Sequence, residues 1–333
     1  MMVDRFPALV QGFFLERLMT QRNASPATVS AYRDTFRLLL RYLSDQHQCP
    51  ASAVMMNMLN ADAILAFLDD LEARRHNSIK TRNHRLAVIH SFMDYVSFQA
   101  PEYLGLVQRV KQIPCKRAPT RTMAYLVPTE IEALLAACAV DTWLGRRDRL
   151  MLSLLYNTGM RVSELTGLTR ASVILTPSGV STVRIWGKGR KERVLPLWQS
   201  TQGYVADWLR EQGDAEDPHL FTNRRHESLT RSGVMARLQW LAQTATPQCP
   251  SLMDKRVTPH VIRHTTAMHL LQSGIDLSTI AIWLGHESIE TTHKYMVADL
   301  QLKERALDKT ASPKAPTGRY QPSDDILSFL STL

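Results

Sequence analysis

Apolar residues recur at helical spacing along most of this chain and change to strict alternation in one short stretch. Val29, Tyr32, Phe36, Leu39, Leu40 and Leu43 form a helical stripe, and Ser25-Pro26 ahead of them supplies an N-cap followed by a helix-compatible proline. A second long helix is expected from about Ser78 to Gln99, with Leu86, Ile89, Phe92, Met93 and Val96 as its buried face. Lys80, Arg82 and Arg85 in its first turns read as a solvated basic face.

Beyond Gln112 the pattern breaks. Pro114 and Pro119 oppose regular structure, and Lys116, Arg117 and Arg121 suit a linker that crosses a phosphate backbone. Thr129 and Glu132 then read as a capping box ahead of Ile131, Leu134, Leu135 and Cys138. Around Asp148–Leu168 two helices are expected on either side of the turn Asn157-Thr158-Gly159. Val183 and Ile185 alternate with polar neighbours, Gly187-Lys188-Gly189 turns the chain, and Arg193-Val194-Leu195-Pro196-Leu197 resumes extended character, which predicts a β-hairpin. Three short helices follow in 258–298, opened by Thr258-Pro259, separated at Ser273-Gly274 and Gly285, with Ser288 as cap of the third.

With 333 residues and 44% apolar content, the chain suits two domains with real cores. No apolar run is long enough for a membrane span, and the first residues lack a signal pattern, so the cytoplasm is the expected compartment. Cys49, Cys115, Cys138 and Cys249 form no CxxC pair, which argues against a disulfide framework or zinc ribbon. The net charge of +9 admits an acidic partner such as DNA. Residues 1–113 contribute +3 (13 basic, 10 acidic), 114–123 another +3, and 124–333 the last +3 (24 basic, 21 acidic), so a third of the excess lies in ten residues.

Cutting DNA without a metal requires charge neutralisation at a phosphodiester, an oxygen nucleophile and an acid for the leaving 5′-oxygen. Arginine serves the first need because its planar fork can hold two phosphate oxygens. Tyrosine, lysine and histidine can serve the others. Taken singly, Arg161 is an ordinary surface arginine, and each histidine a capping or packing residue. Their joint spacing is more demanding. His260 and Arg263 share a helix face, His286 comes 23 positions after Arg263, and Tyr295 nine after His286. A Gly-x-Arg precedes them at Gly159–Arg161, as does the Gly-Lys-Gly hairpin around Lys188.

The segments 158–165, 187–193, 260–264 and 284–288, together with Tyr295, resemble the signature boxes of the tyrosine recombinase (phage integrase) family, and most of all its Xer-type branch. The resemblance spans about residues 120–300, and residues 6–110 match the family's helical DNA-clamping domain only in a general way. It implies a mainly α fold: a two-domain DNA clamp with an N-terminal helical bundle (a SAM-like core-binding domain) and a C-terminal α-rich catalytic domain with a small antiparallel sheet. The expected boundaries are 1–113 for the first domain, 114–123 for the basic linker, 124–310 for the catalytic domain and 311–333 for a tail. The apolar end Ile326–Leu330 would dock on a neighbouring subunit.

Carried over position by position, the resemblance makes Arg161 and Arg263 the clamps of the scissile phosphate and Lys188 the acid for the leaving 5′-hydroxyl. His260 and His286 would hydrogen-bond the phosphate and assist proton movement. Tyr295 would attack and form a 3′-phosphotyrosyl link. Glu164 reads as an orienting partner of Arg161. No cofactor is implied, because one diester replaces another. The partners implied are double-stranded DNA and a homo-tetramer, or related recombinase subunits, on paired sites. The biological task would be movement of a mobile element, with resolution of chromosome or plasmid dimers as the alternative.

Three other readings compete. A helix-turn-helix regulator could use 277–284 and 289–296, but it leaves Arg161, Lys188 and the His-x-x-Arg pair unexplained. A type IB topoisomerase shares the chemistry but would act as a monomer. His260 and His264 stand at metal-ligand spacing, yet Val-Ile-Arg lies between them and supplies no carboxylate base. Thr230–Ala245, with Arg231 and Arg237, is one candidate for groove contact.

Overall fold

The structure, a computed structural model, describes residues 6–118, 124–176, 179–187, 191–213, 218–286 and Thr292. The chain forms two compact units, Met1–Arg121 and Thr122–Leu333. Helices dominate both units, and the second adds a small antiparallel sheet.

In the first unit, α1 (Phe6–Gly12) continues into a π-helical stretch, Phe13–Gln21. Helices α2 (Pro26–His47), α3 (Ala61–Arg75), α4 (Ile79–Gln99) and α5 (Leu104–Lys111) follow. Their starts are set by caps: Ser25 Oγ accepts from Thr28 N (3.2 Å) and Ser78 Oγ from Thr81 N (3.3 Å). Phe13, Phe36 and Phe92 lie at the centre of the core, with Phe36 and Phe92 edge to face at 5.1 Å.

The basic start of α4 is not uniformly solvated. Arg82 is buried, donates to Pro114 O (3.2 Å) and stands beside Glu72. Lys116 pairs with Glu72 and Asp69, and Asn83 binds the Lys116 backbone at both N and O. The first part of the expected linker is therefore fastened to this unit, and Lys116 already has carboxylate partners.

The second unit contains α6 (Pro128–Ala136), α7 (Trp143–Thr158), α8 (Val162–Thr166), α9 (Gln199–Gln212), α10 (Arg231–Ala245), α11 (Pro259–Gln272) and α12 (Leu277–Leu284). Helix α7 runs through the core and buries Leu150, Met151, Leu152, Leu154 and Leu155. Helix α6 starts two residues earlier than a Thr129–Glu132 box allows. Pro128 takes the first position, and Glu130 is the acid that reaches back, accepting from Val127 N (2.8 Å). Glu130 is buried, and Lys255 and Ser251 also bond its carboxylate.

Strands β1 (Val173–Ile174), β2 (Thr182–Trp186) and β3 (Glu192–Pro196) pair antiparallel in the order β1-β2-β3. Val183 faces Leu195 and Ile185 faces Arg193 across the β2–β3 ladder. Val183, Ile185 and Leu195 point to the core, so Arg193, two positions before Leu195, lies on the inward face as well. The hairpin is the one expected; β1, only two residues long, carries too little pattern to be read from sequence.

Arg237 on α10 is occupied inside its own unit. It donates to the fully buried Asp148 (2.6 Å), which Arg147 also binds, and its guanidinium lies 4.3 Å over the Trp240 ring.

Candidate active site

Helix α7 ends on Gly159 in the left-handed conformation (φ 59°), where a side chain would be strained. A Cβ there would also stand 2.4 Å from Leu284 Cδ2, so only glycine lets the end of α7 approach the end of α12 this closely. The turn delivers Arg161 to the N-cap of α8, and Glu164 in the next turn fixes it twice. Glu164 Oε2 accepts from Arg161 N (2.8 Å), and Oε1 accepts from Arg161 Nη1 (2.8 Å). The orienting partner expected at Glu164 is thus in contact with Arg161, and it also takes the anion position at the start of this five-residue helix.

The end of α12 organises the rest. Gly285 adopts a left-handed conformation (φ 66°), with Gly285 N donating to Ile282 O (3.1 Å) and His286 N to Ala281 O (2.9 Å). The next three carbonyls each receive an arginine. Arg193 Nε donates to Trp283 O (3.1 Å), Arg263 Nη2 to Leu284 O (2.7 Å) and Arg161 Nη2 to Gly285 O (3.2 Å). Helix C-termini carry partial negative charge and orphan carbonyls, so three guanidiniums are favourably placed here. Arg263 also donates to Gly159 O (2.6 Å), which ties both glycine turns to one buried side chain.

His260 lies on α11, one turn before Arg263, and its ring meets His264 edge to face at 4.1 Å. His260 is exposed by surface area, yet the protein around its ring, then the positive charges of Arg263 and Arg161, hold it below the usual histidine value. His286 follows the α12 turn with Nδ1 2.9 Å from Thr292 Oγ1. Burial first, then Arg263, Arg161, His264 and Arg193, push its pKa down to about 4. At neutral pH both imidazoles are uncharged beside two arginines. Glu164 moves the other way from most buried acids. Burial raises its pKa, but the bonds from Arg193 and Arg161 outweigh this, and it stays below the usual carboxylate range.

The structure therefore brings Arg161, His260, Arg263 and His286 to one place, around the ends of α7 and α12. Lys188 and Tyr295 lie outside the described residues. Arg193, Thr292 and the His260–His264 ring contact were not singled out from sequence. For Arg193 a signal existed, since period two counted back from Leu195 puts a charged residue on the inward face of a strand. Among the described residues no group of three or more His, Cys, Asp or Glu side chains is placed to hold a metal ion.

Residues 124–301 match the Phage integrase family model, and residues 13–97 match that of the phage integrase N-terminal SAM-like domain. The Sinorhizobium fredii protein y4rC, whose name places it among integrases/recombinases, is 45% identical over 98% of this chain and 97% of its own length. Tyrosine recombinase XerD of Pseudomonas aeruginosa is 32% identical over 85% of this chain and 90% of its own. Among solved structures, XerH site-specific recombinase bound to palindromic difH substrate, a post-cleavage complex, matches with a TM-score of 0.68 at 22% identity, covering 86% of this chain and 81% of that one. The Tn1549 transposon integrase in complex with transposon right end DNA matches with a TM-score of 0.67 at 17% identity, covering 91% and 99%.

Proposed function

The chain belongs to the phage integrase family of tyrosine recombinases, enzymes that break and rejoin DNA strands, and on that premise we propose that it cuts DNA through a 3′-phosphotyrosyl intermediate formed on Tyr295. The observation that carries this reading is the convergence of Arg161 and Arg263, from distant segments, on adjacent carbonyls immediately before His286. Two forked cations side by side can hold the non-bridging oxygens of one phosphodiester and stabilise the charge that builds there.

In the proposed reaction the Tyr295 oxygen attacks the phosphorus, a new P–O bond forms, and the bond to the 5′-oxygen breaks. Lys188 protonates that oxygen, while His260 and His286 hydrogen-bond the phosphate and relay the phenol proton. A 5′-hydroxyl of another strand then attacks the link, restores a DNA diester and frees Tyr295. Each step exchanges one diester for another, so no nucleotide is consumed. Strand exchange needs two duplexes, which fits a tetramer of this chain, or of related subunits, on paired sites.

We further assign the activity to a mobile element; the support is the word integrase in the name of y4rC, which is alike over nearly the whole of both chains. Dimer resolution is the second reading, favoured by the likeness to XerD. Inverted repeats or a cargo gene beside the coding sequence support the first; a single site near the replication terminus supports the second.

The test uses nicked duplexes tiled across the DNA flanking the gene, incubated in EDTA without nucleotide. The nick lets a short 3′ fragment diffuse away and traps the intermediate. Wild type should yield a protein–DNA adduct that survives SDS, and Tyr295→Phe should retain binding and yield none. Retention without any adduct in wild type would instead support a regulator. The same adduct together with relaxation of single-site plasmids and no exchange between paired sites would support a topoisomerase.

A further inference from the structure

We propose that Arg193 is a positioning residue of this site, closing a ring of charge-assisted bonds that holds Arg161 and the α12 end in their cleaving arrangement before DNA arrives. The inference rests on the strand-cleavage reading of the same site.

The ring can be followed atom by atom. Arg193 Nε donates to Trp283 O (3.1 Å). Its two terminal nitrogens grip the Glu164 carboxylate, Nη1 to Oε1 (3.2 Å) and Nη2 to Oε2 (2.7 Å). Glu164 binds Arg161, and Arg161 Nη2 returns to Gly285 O (3.2 Å), two residues beyond the starting carbonyl. One carboxylate thus accepts from two guanidiniums, and both guanidiniums end on the same helix terminus. The Arg193 side chain is 10% exposed and that of Glu164 is 4% exposed, so solvent does little to weaken these bonds.

Gly285 makes room for the ring, and Gly187 lies against it at ordinary contact distance. A Cβ on Gly285 would stand 3.0 Å from Arg193 Nη1 and 3.4 Å from its Cδ. A Cβ on Gly187 would stand 3.5 Å from both Arg193 Nη1 and Glu164 Oε1. Gly187 also closes the base of the hairpin turn by donating to Lys191 O (2.8 Å). Arg193 therefore joins three segments that carry the proposed chemistry: the hairpin strand following Lys188, the helix start at Arg161, and the turn that leads to His286. Lysine does not replace it, because an ammonium has no planar fork to span a carboxylate and a carbonyl at once.

The experiment compares the full chain as wild type, Arg193→Lys and Arg193→Met. Equilibrium DNA binding, single-turnover adduct formation on the nicked duplex at saturating protein, and the melting temperature are measured separately. In addition, the His286 imidazole is titrated by NMR in DNA-free protein. For Arg193→Lys the expected result is a roughly 10- to 100-fold slower adduct rate, with binding within about threefold and melting within a few degrees. For Arg193→Met, His286 should titrate above its wild-type value, because one of the cations that lower it is gone and the ring is open. The titration is expected to stay near the wild-type value in Arg193→Lys.

An Arg193→Lys rate within threefold of wild type would overturn the proposal. So would rate and binding lost in proportion, or an Arg193→Lys melting drop beyond ten degrees, which would make the residue a determinant of the fold. If wild type forms no adduct on any duplex, the cleavage reading itself fails. The His286 titration then decides whether Arg193 organises the site, and identical curves for Arg193→Met and wild type would refute it.

Discussion

Replacing Glu164 gives a prediction whose size can be worked out. Its buried carboxylate accepts four bonds, from Arg161 N, Arg161 Nη1, Arg193 Nη1 and Arg193 Nη2. Glu164→Ala removes all four and leaves the Arg193 charge, 10% exposed, without its carboxylate. Breaking a buried pair from one side costs about 3–5 kcal/mol. Arg161 is 35% exposed, and water compensates part of its loss, so the lower half of that range is expected. For a unit of this size each kcal/mol moves the melting temperature by about 2–4 °C, so the second unit should melt roughly 6–16 °C lower. Glu164→Gln keeps an acceptor for Arg161 N and should lose less, about 2–3 kcal/mol.

The acid dependence of this contribution follows from its direction. Glu164 is held below the usual carboxylate range in the folded state, so its contribution is present above the unfolded carboxylate pKa and is lost as pH falls through the folded value. Thermal melts of wild type and Glu164→Gln should therefore differ most at neutral pH and converge in acid. A Glu164→Gln protein that melts within a degree of wild type at neutral pH, or a gap that persists unchanged in acid, would refute the reasoning.

Gly159→Ala should destabilise the second unit by about 1–2 kcal/mol for the left-handed backbone alone. It should also slow cleavage, because Leu284, whose carbonyl holds Arg263, must move; a melt and an adduct rate equal to wild type would count against this. His286 sits at about 4 in the free protein, and a phosphate between Arg161 and Arg263 would offset the charges that lower it. DNA binding should then take up a proton, so affinity strengthens as pH falls from 7 toward 5, by up to about tenfold per unit, and His286→Asn should flatten that slope in a binding titration. In the first unit Asp34, Arg37, Leu38, Arg41, Arg75 and Arg85 line a hollow of about 260 Å³. If Arg37 and Arg41 there meet phosphates, replacing both with Gln should lower the slope of log affinity against log salt by about 1.8, and an unchanged slope would place the contacts elsewhere.

What sequence made legible was what local chemistry decides. Ser25-Pro26 and Ser78 cap the helices they announce, Gly159 turns the chain, and alternation at Val183 and Ile185 marks a strand. Arg161, His260, Arg263 and His286 lie around the ends of α7 and α12. What stayed hidden depends on partners far away in the chain. Arg82 looks solvated until Pro114 and Glu72 surround it, Arg237 shows its pairing with buried Asp148 only in the fold, and Glu130 takes the place of Glu132 with Lys255 and Ser251, more than 120 positions away, on its carboxylate. Arg193 was legible only as a strand residue; its bonds to Glu164 and Trp283 are fixed by tertiary packing.

The proposal as a whole turns on which side chain becomes joined to DNA. Adduct trapped on the nicked duplex can be digested with trypsin and nuclease, and the nucleotide-bearing peptide sequenced by mass spectrometry. Cleavage after Lys294 releases the peptide 295–303, in which Tyr295 is the sole tyrosine. The predicted result is a nucleotide 3′-phosphate on Tyr295 of that peptide. The same mass on any other residue, or DNA cut with no residue bearing it, would contradict the account.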